Sequence, residues 1–196
     1  MTSGKQLGIG FAGLLCTIVL IGCSVHTSER KDANGKSEDV DIRTPFGSIS
    51  VKESSTDAKD TGLQLYPGAR PKSDSGDDKH SANVDISSSM VGVKVVAREY
   101  RSDDSPDKIL AYYRKQMDKF GNVIQCSGRW GHSGFEYHKH DQDAPVSCKG
   151  GEGGSAEQTL KVGTENNQHV VAVKPLGKGS EFALVYVRTW SDKQSM

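Results

Sequence analysis

The stretch from residue 91 to 121, VGVKVVAREYRSDDSPDKILAYYRKQMDKFG, joins a strand pattern to a helix pattern. Apolar residues occupy alternate positions over 91–97, which is the period of a strand with one buried face. Ser105-Pro106 then supplies a capping serine and a proline at the first helical position. Apolar residues follow at helical spacing, and a glycine comes after the last of them: Ile109, Leu110, Tyr113, Met117, Phe120 and then Gly121. The stretch predicts a strand with a helix packed beside it.

Further strand patterns lie on both sides of this stretch. Val84 and Ile86 alternate before it, and Val123-Ile124 leads into a cysteine after it. Three more strands are predicted near residues 160–162, 168–174 and 181–189. Strands therefore far outnumber helices. We predict an α+β fold in which a single antiparallel sheet carries one main helix, about 106–120, on one face.

A short hairpin is predicted ahead of this domain. Val40 and Ile42 alternate with polar residues, as do Ile49 and Val51, and the turn signal Thr44-Pro45-Phe46-Gly47 separates the two runs. An isolated hairpin is only marginally stable in water, so this one must dock or remain loose. The next signal is Pro67-Gly68, which favours a type II turn because glycine accepts a positive φ at the third position.

The N-terminus carries an export signal. Lys5 is the only charged residue among the first 22, and an apolar run covers residues 7–22. Such a run is too short to span a membrane comfortably but suits the apolar region of a secretory signal. It ends in Leu20-Ile21-Gly22-Cys23, which resembles the lipobox of bacterial lipoproteins.

This resemblance implies a lipid anchor. In the lipoprotein family the cysteine thiol is diacylglycerated, the preceding bond is cut, and the new amino group can be acylated too. Carried over, residues 1–22 are lost and Cys23 anchors the chain in the lipid bilayer, palmitate being a typical acyl group. An uncleaved N-terminal anchor is the alternative. Both alternatives place the chain in the cell envelope, facing the periplasm or the exterior. Ser24 after the cysteine favours the outer membrane if the cell is Gram-negative.

The soluble part resembles a group of uncharacterised bacterial lipoproteins that carry TPFG and YPGA stretches, here Thr44–Gly47 and Tyr66–Ala69. That group brings no known activity. The predicted organisation has five parts: a signal peptide at 1–22, a flexible tether at 23–39, a hairpin and linker at 40–62, the α+β domain at 63–190, and a disordered tail at 191–196. The tether prediction rests on the near absence of apolar residues from its sequence.

Composition excludes one class of partner. The chain has 25 basic and 25 acidic residues, so its formal net charge is zero. Nucleic-acid binding needs a basic excess, which this chain lacks. Charged residues make up 26% and aromatic residues 7% of the chain, so the core must be built mainly from aliphatic residues.

The second distinctive stretch, CSGRWGHSGFEYHKHDQDAPVSC, covers residues 126–148. Outside the cytoplasm disulfides persist, and Cys126 and Cys148 are the two cysteines left after the signal and the lipidated residue. We therefore predict that they form a disulfide, worth roughly 3 kcal/mol in the chain-entropy model.

Three histidines lie inside this loop: His132, His138 and His140. Imidazoles suit zinc, copper or nickel, but their spacing matches no zinc signature. Gly131-His132-Ser133-Gly134 also lacks the final glycine of a hydrolase nucleophile elbow. We predict a non-enzymatic binding or structural module that needs no cofactor, with an envelope protein or a glycan as partner. The alternative is a metal-binding periplasmic protein that uses the loop at 126–148.

Overall fold

The computed structural model describes residues 24–32, 35–45, 47–52, 57–72, 81–127, 143–148 and 156–191. Within these ranges ten strands pair antiparallel into one sheet. One α-helix, α1 (Pro106–Met117), continues into a short 3-10 helix (Asp118–Phe120), and a second 3-10 helix covers Ala58–Thr61. The strands are β1 (Ser24–Asp32), β2 (Gly35–Thr44), β3 (Gly47–Lys52), β4 (Arg70–Pro71), β5 (Ser81–Ser88), β6 (Val91–Ser102), β7 (Ile124–Ser127), β8 (Gln158–Thr164), β9 (Asn167–Leu176) and β10 (Gly179–Ser191).

The order across the sheet is β1-β2-β3-β5-β6-β10-β9-β8-β7, and β4 pairs with the last part of β6. This arrangement confirms the α+β prediction in its broad form, although the helix is small beside the sheet. The helix prediction at about 106–120 is also confirmed, since α1 and the 3-10 helix after it together cover that range.

The main core lies between α1 and the sheet, which defines the helix face of the sheet. The helix contacts β8, β9 and β10. Its apolar stripe is buried as the spacing predicts, with Ile109, Tyr113 and Met117 fully inaccessible. These side chains pack against inward residues of the strands: Leu160, Val162, Val171, Val173, Phe182 and Leu184. The burial of this stripe fixes which face of the sheet the helix covers.

A segment that we call the strap, residues 57–72, packs against this core. Leu63 is 1% exposed and lies in the core cluster. The main-chain N–H of Tyr66 donates a hydrogen bond to the hydroxyl of Tyr113 on the helix, at 3.0 Å. After Tyr66 the chain reverses: the Ala69 N–H donates to the Tyr66 carbonyl at 3.0 Å, and Gly68 has φ of 79°. This is the turn that Pro67-Gly68 predicts.

The opposite side of the sheet, which we call the far face, carries a second apolar cluster. Val170, Val185 and Val187 are at most 2% exposed, and Val95, Ala97 and Ala183 pack against them. Residues directly opposite each other on neighbouring strands share a face. The far-face series therefore continues outward across β6, β5, β3 and β2 through Val93, Ile86, Ile49 and Ile42.

The structure corrects the predicted tether. Residues 24–32 and 35–44 form β1 and β2, an antiparallel pair in which Asp32 lies opposite Gly35. The main-chain hydrogen bonds of the pairing order this segment without a large apolar surface. The predicted hairpin is confirmed as β2 and β3, with Thr44 opposite Gly47. It is not separate from the domain, however, because β3 pairs with β5 and joins the main sheet.

Candidate binding surface

Cys126 and Cys148 form a disulfide, as the sequence predicts. Cys126 lies in β7, which pairs with the first half of β8. Cys148 ends the segment 143–148, in which the Val146 N–H donates to the Gly163 carbonyl near the end of β8 at 3.2 Å. The disulfide thus links two pieces of chain that line the same edge of β8, and its position indicates a structural role.

The other residues that the sequence singles out lie outside the described residues: Cys23, His132, His138 and His140. The metal alternative and the lipid anchor therefore stay predictions. Among the residues that the structure describes, no group of three or more histidine, cysteine, aspartate or glutamate side chains is placed to hold a metal ion.

His169 is described, and it is a core residue. Its ring stacks on Phe120 with 3.8 Å between centroids and lies 4.9 Å from the ring of Tyr186. Its Nδ1 lies 2.8 Å from the Thr61 carbonyl oxygen, which can only accept, so Nδ1 carries the proton. Burial lowers the pKa of His169 and outweighs the opposing effect of this hydrogen bond, while the charge of Lys119 lowers it further. These contacts indicate that His169 fixes the strap to the sheet.

The strands beyond β6, namely β1, β2, β3 and β5, form what we call the sheet extension. Its helix-face side is polar, because residues that alternate with the far-face valines and isoleucines carry hydroxyl, amide or charged groups. The register aligns these residues in rows across the strands. One row runs Gly92, Ser87, Ser48, Arg43, and the next runs Lys94, Asp85, Ser50, Asp41.

These rows line a shallow depression of about 890 Å³. Hydroxyl, amide and carbonyl groups dominate its wall, together with acidic and basic side chains. The lining residues on the strands are Asp41, Arg43, Ser48, Ser50, Lys52, Asn83, Asp85, Ser87 and Lys94. The two acidic and three basic members leave a net charge of about +1, so the surface favours neither a strongly anionic nor a strongly cationic ligand.

The polar groups of the depression differ in whether they have partners. Arg43 Nε donates to Asp41 Oδ1 at 3.0 Å, which satisfies both side chains in part. Within the described part of the chain, the side chains of Asn83, Asp85 and Lys94 make no hydrogen bond or ion pair with another residue. All three are partly buried and lie beside one another across β5 and β6. They offer an amide, a carboxylate and an ammonium group to a ligand.

A second charged cluster lies on the far face near the end of the sheet. Glu181 is 6% exposed and accepts from Lys174 at 2.6 Å, from Lys72 at 3.2 Å and from Arg101 at 3.3 Å. Burial alone would raise the pKa of Glu181, but its hydrogen bonds and attraction to Lys174 and Lys72 lower it. Lys72 also contacts Glu99 at 2.8 Å. The cluster is internally satisfied and fixes β4, β6, β9 and β10 to one another.

The polar face was not predicted from the sequence. Alternation shows that every second residue of β3, β5 and β6 is polar, but it does not show which polar residues become neighbours. That depends on the register between strands, and the extension itself was predicted as a tether and a separate hairpin. The Asn34-Gly35 dipeptide, a frequent hairpin signal, was the available evidence for a β1–β2 pair.

Comparison of the chain with models of known protein families, with curated proteins and with solved structures finds no match. None of the helices in the described ranges has the length and apolar character needed to cross a membrane.

Proposed function

We propose that this chain is a lipid-anchored lipoprotein of the cell envelope whose domain is a non-enzymatic binding module. The lipobox-like Leu20-Ile21-Gly22-Cys23 supports the anchor. Two or three acyl chains on Cys23 are enough for stable attachment to a bilayer, whereas one chain is marginal.

The observation that carries the binding function is the polar face of the sheet extension. A sheet extension with one polar and one apolar face needs no depression lined with unpartnered polar groups for its own stability. Asn83, Asp85 and Lys94 nevertheless line one together, on a surface built from rigid strands. Groups held this way keep their positions before a ligand arrives, which lowers the entropy cost of binding.

The lining of the depression suits recognition of a polar ligand. Asp85 and Lys94 lie among serine hydroxyl groups. A few donors and acceptors that are held in fixed positions orient such a ligand and give specificity.

Fatty-acid labelling tests the anchor. Cells that express the full chain are grown with an alkyne-tagged palmitate, and the protein is isolated and probed for the tag. We expect labelling of the wild type and of a Cys16→Ser variant, which alters a cysteine inside the signal. A Cys23→Ser variant should carry no label, and label of equal strength on that variant would disprove the anchor.

Site-specific photo-crosslinking tests the binding surface. A photoreactive amino acid is placed at position 50 in the depression or, as the matched control, at position 59 in the strap, where the Lys59 side chain is 80% exposed. In intact cells we expect a discrete adduct from position 50 that is weakened by Asp85→Ala, and none from position 59. The absence of any adduct at position 50 would contradict a ligand surface there.

A further inference from the structure

Trp190 lies at the end of one of the polar rows. It is near the end of β10 and directly opposite Gly92 of β6, and Gly92 in turn lies opposite Ser87 of β5. Neighbouring strands are roughly 5 Å apart, so the indole lies next to the hydroxyl groups that line the depression. The Trp190 side chain is large and apolar, and 36% of the residue surface is exposed.

The indole rests on the glycine. A Cβ atom added to Gly92 would lie 2.0 Å from both Cε2 and Cζ2 of Trp190 and 2.7 Å from Cη2. Three consecutive ring atoms this close to one point place the benzo ring across the glycine, in the space that a side chain would fill. The glycine therefore lets the ring lie against the sheet instead of standing out from it.

Charged and polar groups flank this ring. Arg188 is two residues earlier on the same face, and its guanidinium carbon lies over the indole ring, 5.9 Å from the ring centroid. Lys94 lies opposite Arg188, and Asp85 lies opposite Lys94 on the next strand. An exposed aromatic ring thus sits beside an unpartnered ammonium group, an unpartnered carboxylate and the Ser87 hydroxyl.

We propose that this surface binds a pyranose glycan, with one sugar ring stacked on Trp190 and its hydroxyl groups bonded to Ser87, Asp85 and Lys94. A pyranose ring has an apolar C–H face and a rim of hydroxyl groups that both donate and accept. The indole matches the apolar face, and the mixed donors and acceptors match the rim. The near-neutral depression next to it has room for further sugar units.

This inference rests on the proposed binding function and names the ligand class for the same surface. A peptide ligand fits less well, because the described residues give the depression no apolar pocket for side chains and no unpaired strand edge along its floor. A purely anionic ligand fits less well too, since Asp85 and Asp41 would oppose it.

A fluorescence titration tests the stacking directly. The chain has two tryptophans, so in a Trp130→Phe variant of the full detergent-solubilised protein Trp190 is the single reporter. The probes are glycan strands released from peptidoglycan and the delipidated oligosaccharide of lipopolysaccharide, titrated separately. We expect a saturable change of Trp190 emission with one of them, which also identifies the source of the glycan.

Calorimetric titrations of variants then locate the site. Trp190→Ala should weaken binding about tenfold or more, as truncation of a central tryptophan usually does, and Lys94→Ala should weaken it less. Ile86→Ala, on the far face of the same strands, is the matched control and should leave the affinity unchanged. A cooperative thermal transition of Trp190→Ala, with a circular dichroism spectrum like that of the wild type, would show that the variant folds.

Two results would overturn the inference: no binding of either glycan, or binding with unchanged affinity in Trp190→Ala. The crosslinking experiment separates the loss of the glycan hypothesis from the loss of the binding function itself. An adduct at position 50 without glycan binding would leave the surface and remove only the ligand class, whereas the absence of the adduct would remove the surface itself.

Discussion

The hydrogen bond between the strap and the helix gives the sharpest stability prediction. Tyr113 is fully buried, and its hydroxyl accepts from the Tyr66 N–H at 3.0 Å. Tyr113→Phe keeps the ring, its stacking and its packing but removes the acceptor. A buried donor left without a partner costs about 1–3 kcal/mol. Tyr66 is only partly buried, so we expect a loss of about 1.5 kcal/mol in the free energy of unfolding, in the lower half of that range.

The assay is urea denaturation of the purified protein, followed by circular dichroism. For a chain of this size the loss corresponds to a fall of about 3–6 °C in melting temperature. The matched control is Tyr112→Phe, whose exposed hydroxyl donates to the Leu65 carbonyl at 3.2 Å. It should change stability by less than about 0.5 kcal/mol, because water replaces that bond. Equal effects of the two variants, or a Tyr113→Phe protein as stable as the wild type, would refute the reasoning.

Three further predictions concern Gly163 near the end of β8, the disulfide and the buried histidine. Gly163 has φ of 108°, and an added Cβ would lie 2.2 Å from the Asn167 carbonyl oxygen. Gly163→Ala should therefore lower the free energy of unfolding by about 1–3 kcal/mol in the same denaturation assay, and an unchanged free energy of unfolding would contradict this. Replacing Cys126 and Cys148 together by alanine should cost about 3 kcal/mol, and reduction of the wild type should cost as much; an unchanged denaturation midpoint would show that the link adds nothing. Burial lowers the pKa of His169, so the folded state accepts the neutral ring more readily than the protonated ring. The contribution of the neutral ring to stability is therefore full above about pH 6.5 and is lost as the pH falls below that value. The stability difference between the wild type and His169→Gln should therefore shrink from pH 7.5 to pH 5, and a constant difference would contradict the burial of a neutral ring.

The helix and the central strands could be predicted from the sequence because their signals are local. Ser105-Pro106 marks the start of α1, and Gly121 follows its end. The alternation in β6 also predicts that Val96 and Tyr100 point away from Val95, and the structure places those two on the helix face and Val95 on the far face. Local patterns of this kind hold where the buried face decides the conformation.

The sheet extension could not be predicted in the same way. Residues 24–39 have few apolar side chains, and their order comes from main-chain pairing with a neighbour that composition does not reveal. The platform formed by Trp190 on Gly92 depends on the pairing of β10 with β6, two strands that are distant in the chain. The disulfide was predictable for a different reason: it required only the cellular compartment and a count of cysteines.

Hydrogen exchange of the full protein, with and without solubilised envelope glycans, tests the proposed glycan-binding surface most directly. Mass spectrometry of peptides would report exchange separately in β3 (Gly47–Lys52), in β5 (Ser81–Ser88) and in α1 (Pro106–Met117). If the polar face of the extension is the ligand surface, exchange should slow in β3 and β5 and stay unchanged in α1. Unchanged exchange in β3 and β5 would contradict glycan binding at this surface, and protection confined to α1 or to β7 and β8 would contradict the placement of the ligand on the polar face.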